Sequence, residues 1–167
     1  MNKIKNIIVL TVCLMAGVAF GATTSDATSK DINSLFKANE FSLTLASAVN
    51  LKGDYDANFS VGAAYFFTQK IGFQAALPIY DTRGQIFESA NAGLVFRYPV
   101  AKIFSPFVQA GGIYNWQSQT TAGYAGGGLE IRPFNSKWGV SVGSNYNYEK
   151  FDTHGTWQPF CALRLVF

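Results

Sequence analysis

The run Trp157-Gln158-Pro159-Phe160-Cys161-Ala162-Leu163-Arg164-Leu165-Val166-Phe167 alternates with period two. Counted back from the end, Phe167, Leu165, Leu163 and Cys161 share one side; Val166, Arg164, Ala162 and Phe160 share the other. Successive side chains of a strand point to opposite faces, so the run reads as a strand with an apolar face and a face carrying an arginine. Such a strand suits a wall with hydrocarbon on one side and water or polar side chains on the other.

Seven earlier segments repeat the pattern. Phe41 to Val49 puts Phe41, Leu43, Leu45 and Val49 outward, with Ser42, Thr44, Ala46 and Ala48 inward. Ala57 to Phe67 puts Phe59, Val61, Ala63, Tyr65 and Phe67 outward. Ile71 to Tyr80 alternates Ile71, Phe73, Ala75, Leu77 and Ile79 with Gly72, Gln74 and Ala76. Ile86 to Tyr98 turns Ala90, Ala92, Leu94, Phe96 and Tyr98 out and Ser89, Asn91, Gly93 and Arg97 in. Pro106 to Trp116 turns Gln109, Gly111 and Asn115 in; Ala122 to Arg132 turns Gly126, Gly128, Glu130 and Arg132 in. Trp138 to Tyr148 is the clearest, with Trp138, Val140, Val142, Tyr146 and Tyr148 against Gly139, Ser141, Gly143, Asn145 and Asn147. A bulge around Ser89 or Gly126 would invert this parity, and the register there stays open.

Each segment is near the roughly 9–11 residues a tilted strand needs to cross a bilayer. Aromatic residues make up 16% of the chain and charged ones only 14%, against about 25% charged in ordinary soluble domains. No apolar run after Phe20 is long enough for a helical span. Backbone groups in lipid must all be paired, so strands that cross it must close on themselves. Eight is an even count, as single-chain bacterial barrels have, and gives an interior just filled by side chains. The expectation is an all-β protein: an eight-stranded antiparallel transmembrane up-and-down β-barrel over residues 41–167. Small inward residues, Gly, Ala and Ser, suit so narrow a barrel.

The amino-terminal end fits this compartment. Lys3 and Lys5 precede the apolar stretch Ile7 to Phe20, and Ala19-Phe20-Gly21 carries small residues where a signal peptidase reads. Residues 1–21 are expected to be a signal peptide. Cys13 does not read as a lipoprotein site: Val12 stands before it and it comes too early. The formal net charge of +3 falls to +1 once Lys3 and Lys5 leave, so the basic balance is largely a targeting feature and nucleic-acid binding has no basis. Only Cys161 then remains, and no intrachain disulfide is expected. Residues 22–40 are expected to be a polar periplasmic segment. Ile32, Leu35 and Phe36 have the spacing of one amphipathic turn. A short plug, a loose tail and a membrane-surface helix all fit that stretch.

The connections then alternate. Thr68-Gln69-Lys70, Pro99 to Ser105 and Pro133 to Lys137 fall on the periplasmic side. Lys52 to Asp56, Asp81 to Gln85, Gln117 to Thr121 and Glu149 to Thr156 fall outside. Aromatics gather at both levels: Phe41, Phe67, Phe73, Tyr98, Phe107, Trp138 and Phe167 at the inner one, Tyr80, Phe87, Trp116, Tyr146, Tyr148 and Trp157 at the outer one.

Pro106-Phe107-Val108-Gln109-Ala110-Gly111-Gly112, Gly127-Gly128-Leu129-Glu130-Ile131-Arg132 and the Phe-terminated last strand resemble the small OmpA/OmpX-type outer-membrane barrels. The resemblance covers residues 41–167 and implies a bacterial cell outer-membrane location. It also implies that Phe167, Leu165 and Leu163 act as the β-signal read by the barrel-assembly machinery. Lipid and lipopolysaccharide are the other expected partners, and the chain is expected to be a monomer. It stops at Phe167, so no peptidoglycan-binding domain is expected after it. Its outer loops are shorter than those of loop-driven adhesins.

Inside, Glu130 and Arg164 share inward parity and similar depth; Arg97, Arg132, Gln109 and Gln74 are candidates for the same level. A buried unpaired charge is costly, so Glu130 is expected to pair with Arg164 or Arg97. The cluster reads either as a polar core closing the barrel or, as the resemblance implies, as the gate of a narrow pore. With one inward glutamate against several arginines, any leak would favour anions. A surface-interaction reading falls on Tyr55, Arg83 and His154 in the outer loops. Lipid A deacylation is a third reading, raised by barrels of similar size. His154 has Asp152 and Glu149 near it, but the His-x-Ser-Asn pattern of that activity is absent, so no enzyme is expected. The ligand spacing for a metal is lacking, and no cofactor is expected.

Overall fold

The structure, a computed structural model, describes residues 35–51, 57–81, 87–132, 137–149 and 155–167. They form eight strands: β1 (Glu40–Val49), β2 (Ala57–Phe66), β3 (Ile71–Asp81), β4 (Ser89–Arg97), β5 (Phe104–Asn115), β6 (Thr120–Ile131), β7 (Trp138–Glu149) and β8 (Thr156–Val166). Each pairs antiparallel with the next, and β8 returns to β1 to close the barrel. The seam runs from Ser42↔Val166 to Ala48↔Phe160. Phe167 N–H donates to the Phe41 carbonyl at 2.9 Å, and the two rings sit 5.9 Å apart. The terminal strand thus uses its last residue to finish closure.

Parity holds along the wall. Leu43, Leu45, Val61, Phe73, Leu77, Leu94, Phe96, Val108 and Val142 are exposed on the outside, an apolar band that only a hydrocarbon solvent makes favourable. Phe41, Phe67, Tyr98, Trp138 and Phe167 ring the end where β1 begins and β8 terminates; Tyr80, Phe87, Trp116, Tyr148 and Trp157 ring the far end. Phe107 departs from the girdle expectation. It is buried in the lumen against Ala64, Phe66 and Val95, as its shared parity with Gln109 and Gly111 demands.

The register is continuous through Ser89 and Gly126. The irregularity lies elsewhere: Phe59 faces Tyr80 while Ser60 faces Pro78, so Ile79 is the extra residue of a bulge. Two in-strand prolines trim the ladders at the far end. Pro78 has no N–H, and the β3–β4 ladder ends at Ala76↔Asn91; Pro159 has none either, and the β8–β1 ladder ends at Ala48↔Phe160.

The interior is not filled by small residues alone. Phe36, Phe66, Phe107, Phe160 and Tyr124 all enter it, and inward glycines make room for three of them. A Cβ on Gly72 would stand 2.7 Å from Phe66 Cδ1, on Gly143 2.8 Å from Phe160 Cζ, and on Gly93 2.6 Å from Tyr124 Oη. Large and small side chains alternate across the narrow core.

Candidate functional site

The most concentrated chemistry is a chain of charges across the lumen at the terminal end. Arg97 comes from the last position of β4, Glu130 from the end of β6, Arg132 from just beyond it and Arg164 from β8. The fifth member, Glu40, opens β1. All five are at most 6% exposed. Glu40 falls within the stretch expected as a periplasmic segment, but it has the inward parity of Ser42 and Thr44 and belongs to the barrel.

The order of contact alternates in sign. Arg97 NH1 donates to Glu40 Oε1 at 2.7 Å. Arg132 grips Glu40 with two nitrogens, NH1 to Oε2 at 2.7 Å and NH2 to Oε1 at 2.6 Å. Its Nε donates to Glu130 Oε1 at 2.5 Å, and Arg164 NH1 donates to Glu130 Oε2 at 3.1 Å. Of the two expected partners of Glu130, Arg164 is correct. Arg97 is spoken for by Glu40, which the barrel's stagger brings to it from 57 positions away. The lumen therefore holds a second inward carboxylate.

The described residues ahead of β1 pack against this layer. Arg97 Nε donates to the Gln69 carbonyl at 2.8 Å, its NH2 to the Lys37 carbonyl at 3.0 Å, and Arg132 NH1 to the Leu35 carbonyl at 2.8 Å. Phe36 is 0% exposed, with the Arg132 guanidinium 4.4 Å and that of Arg97 5.1 Å from its ring centroid. Arg97 also lies 3.6 Å over the Phe66 ring. Two guanidiniums held against aromatic faces with their forks filled by carboxylates and carbonyls satisfy nearly every donor, which is what makes such burial tolerable. The described part of the leader, from Leu35 onward, lies against the charged layer.

Gln74 and Gln109 do not join this level. The apolar cluster of Ala64, Phe66, Val95, Phe107 and Phe160 stands between. The glutamines bond to each other instead: Gln74 Nε2 donates to Gln109 Oε1 at 2.7 Å and to Tyr124 Oη at 3.3 Å, and Gln109 Nε2 donates to Asn145 Oδ1 at 2.7 Å. Above them, Asn147 Nδ2 donates to Gln158 Oε1 at 3.0 Å. This amide layer borders a cavity of about 230 Å³.

Phe167, Leu165 and Leu163 lie at the closing seam, Leu163 packed on Val140 and Cys161. Tyr55, Arg83 and His154 lie outside the described residues, as do residues 1–34. Glu40 is the candidate that sequence reasoning missed; Phe36 stands out there only as part of an amphipathic turn. Parity alone would have found Glu40.

The same fold recurs in solved structures. A de novo designed transmembrane β-barrel aligns with a TM-score of 0.60 at 16% identity, covering 78% of this chain and 98% of that one. The amino-terminal β-barrel domain of Pseudomonas aeruginosa OprF aligns with a TM-score of 0.58 at 16% identity, covering 78% and 98%. The outer membrane protein OprG from Pseudomonas aeruginosa aligns with a TM-score of 0.59 at 11% identity, covering 82% and 99%. No family model matches the chain, and no curated protein matches it. At these identities the likeness is one of fold: an eight-stranded barrel of the small outer-membrane type. A designed barrel matches as well as the natural ones, so this fold carries no function of its own.

Proposed function

We propose that the protein is an integral barrel of the bacterial outer membrane whose lumen is plugged at the periplasmic end. It serves as a structural element of that membrane and conducts, as a narrow pore, only when the plug lets go. The observation that carries this reading is the unbroken chain Arg97–Glu40–Arg132–Glu130–Arg164 with Phe36 set against it. It ties β1, β4, β6 and β8 together through the middle of the barrel, where a permanently open channel would need water.

In this reading residues 1–21 direct export and Phe167 with Leu165 and Leu163 presents the assembly signal. The apolar band meets lipid and lipopolysaccharide as a monomer. The lumen charges have a closing role and not a catalytic one.

Planar-bilayer recording of the refolded chain tests the proposal. The wild type should stay closed apart from rare small openings. Glu130→Gln and Phe36→Ala should open more often, because each loosens the seal without removing a strand. A continuous large conductance from the wild type would sink the plugged-barrel reading.

A further inference from the structure

The described residues enclose the lumen cavity of about 230 Å³ only in part. The space has a reason in the sequence. Along β1, β2 and β3 the inward positions Ala46, Ala48, Gly62 and Ala76 are all small, and all four line it. Ala48 on β1 and Asn147 on β7 line it within two residues of the far ends of their strands, so the cavity extends toward the far rim. In the closed order β7 stands four places from β3, on the opposite side of the barrel. It brings Asn145 and Asn147 to the same space, beside Gln158 of β8.

Asn145 Oδ1 accepts from Gln109, and Asn147 Nδ2 donates to Gln158. The other end of each amide bonds to no described residue, and neither does the side chain of Ser60 or Asn91. All four residues are only partly buried and border the cavity. Arg164 is the one charged residue among the described residues that line it. It is 6% exposed and paired with Glu130 at 3.1 Å, so it presents almost no charge to the space. Such a lining narrows the ligand. An ion would be desolvated there without an accessible counter-charge among the described residues. A wholly apolar molecule would leave the amides unpaired. An amide both donates and accepts, and so does a hydroxyl. The alanine and glycine wall offers an apolar surface to the C–H face of a ring. At ~30 Å³ per water the cavity equals about eight waters, which is below the roughly 300–1,000 Å³ of pockets for drug-sized ligands.

We propose that this cavity is a binding site for a single neutral pyranose, whose hydroxyls bond to Asn91, Asn145 and Asn147 while a C–H face rests on Ala46 and Ala76. The site needs the folded barrel and does not require it to conduct.

The test uses the 15N-labelled chain refolded in phosphatidylcholine nanodiscs and titrated with D-glucose. The side-chain amide resonances of Asn91 and Asn145 are the readout, and saturable shifts of both are expected. Asn91→Ala should weaken the binding read at Asn145 about five-fold, the scale of one neutral hydrogen bond. Ala46→Leu adds bulk to the apolar wall and should abolish binding. D-glucuronate, the same ring with a carboxylate, should bind about ten-fold more weakly, because its charge is desolvated without a partner. A linear drift with glucose, unchanged affinity in either variant, or glucuronate binding as tightly as glucose would overturn the proposal. Should Ala46→Leu fail to fold, Asn91→Ala and glucuronate still decide it. A silent planar bilayer would leave the site standing, so its failure and that of the pore are separable.

Discussion

At the terminal end of the lumen, five charged side chains and Phe36 are buried against one another; towards the far end, amides and hydroxyls border a cavity of about 230 Å³. Both halves are built from inward positions of the same eight strands. They differ in what burial demands. A buried charge is tolerable only when its partners are close and complete, so the charged layer recruits backbone carbonyls of Leu35, Lys37 and Gln69 to finish the job. A neutral amide meets a smaller penalty and accepts looser surroundings. The charged half is therefore the more tightly bonded half, and the neutral half borders most of the cavity.

The contrast can be broken first at Glu40. Glu40→Gln takes a charge partner from both Arg97 and Arg132, and should cost about 3–5 kcal/mol, the scale of a broken buried pair. The urea midpoint of the refolded barrel in phosphatidylcholine vesicles, followed by tryptophan fluorescence, measures it. Phe36→Ala removes a buried ring from two guanidinium faces and should cost about 2–4 kcal/mol in the same assay. A change below about 0.5 kcal/mol, the level of ordinary surface substitutions, would mean the segment merely rests on the barrel.

The packing between the halves gives the next effect. Gly72→Val drives a side chain into Phe66 and should cost about 1–3 kcal/mol by overpacking. A neutral outcome would show that the Phe66 ring can move away from Arg97. Gln109→Leu cuts the links to Gln74 and Asn145 and should cost only about 1 kcal/mol, since neutral hydrogen bonds contribute little net stability. If it cost as much as Glu40→Gln, the distinction between the two halves would collapse.

Much of this architecture was legible beforehand. The segment Trp138 to Tyr148 was expected as a strand and ends one residue later, at Glu149. The Glu130–Arg164 pair followed from shared parity and depth. Glu40 was overlooked because it follows a polar stretch and looks like part of it. Phe107 was placed in a girdle because an aromatic near a strand end resembles an interfacial anchor, although its parity pointed inward. The bulge at Ile79 gave no warning, since alternation continues through it. Only the pairing Phe59↔Tyr80 beside Ser60↔Pro78 exposes it.

Side-chain period, aromatic placement and the lack of a helical span were enough, by themselves, to establish eight strands, the face that most strand residues take and closure into a barrel. These are local properties: a strand turns alternate residues the same way whatever lies beside it. Which inward residues meet was decided by the tertiary structure alone. Parity says that Arg97, Glu40 and Glu130 all point inward, but not how high each stands. Height depends on the tilt and stagger of a closed sheet, which brings Glu40 to Arg97 from 57 positions away and to Arg132 from 92. The same stagger sets Gln74 and Gln109 in the amide layer, above the ion pairs they were expected to join.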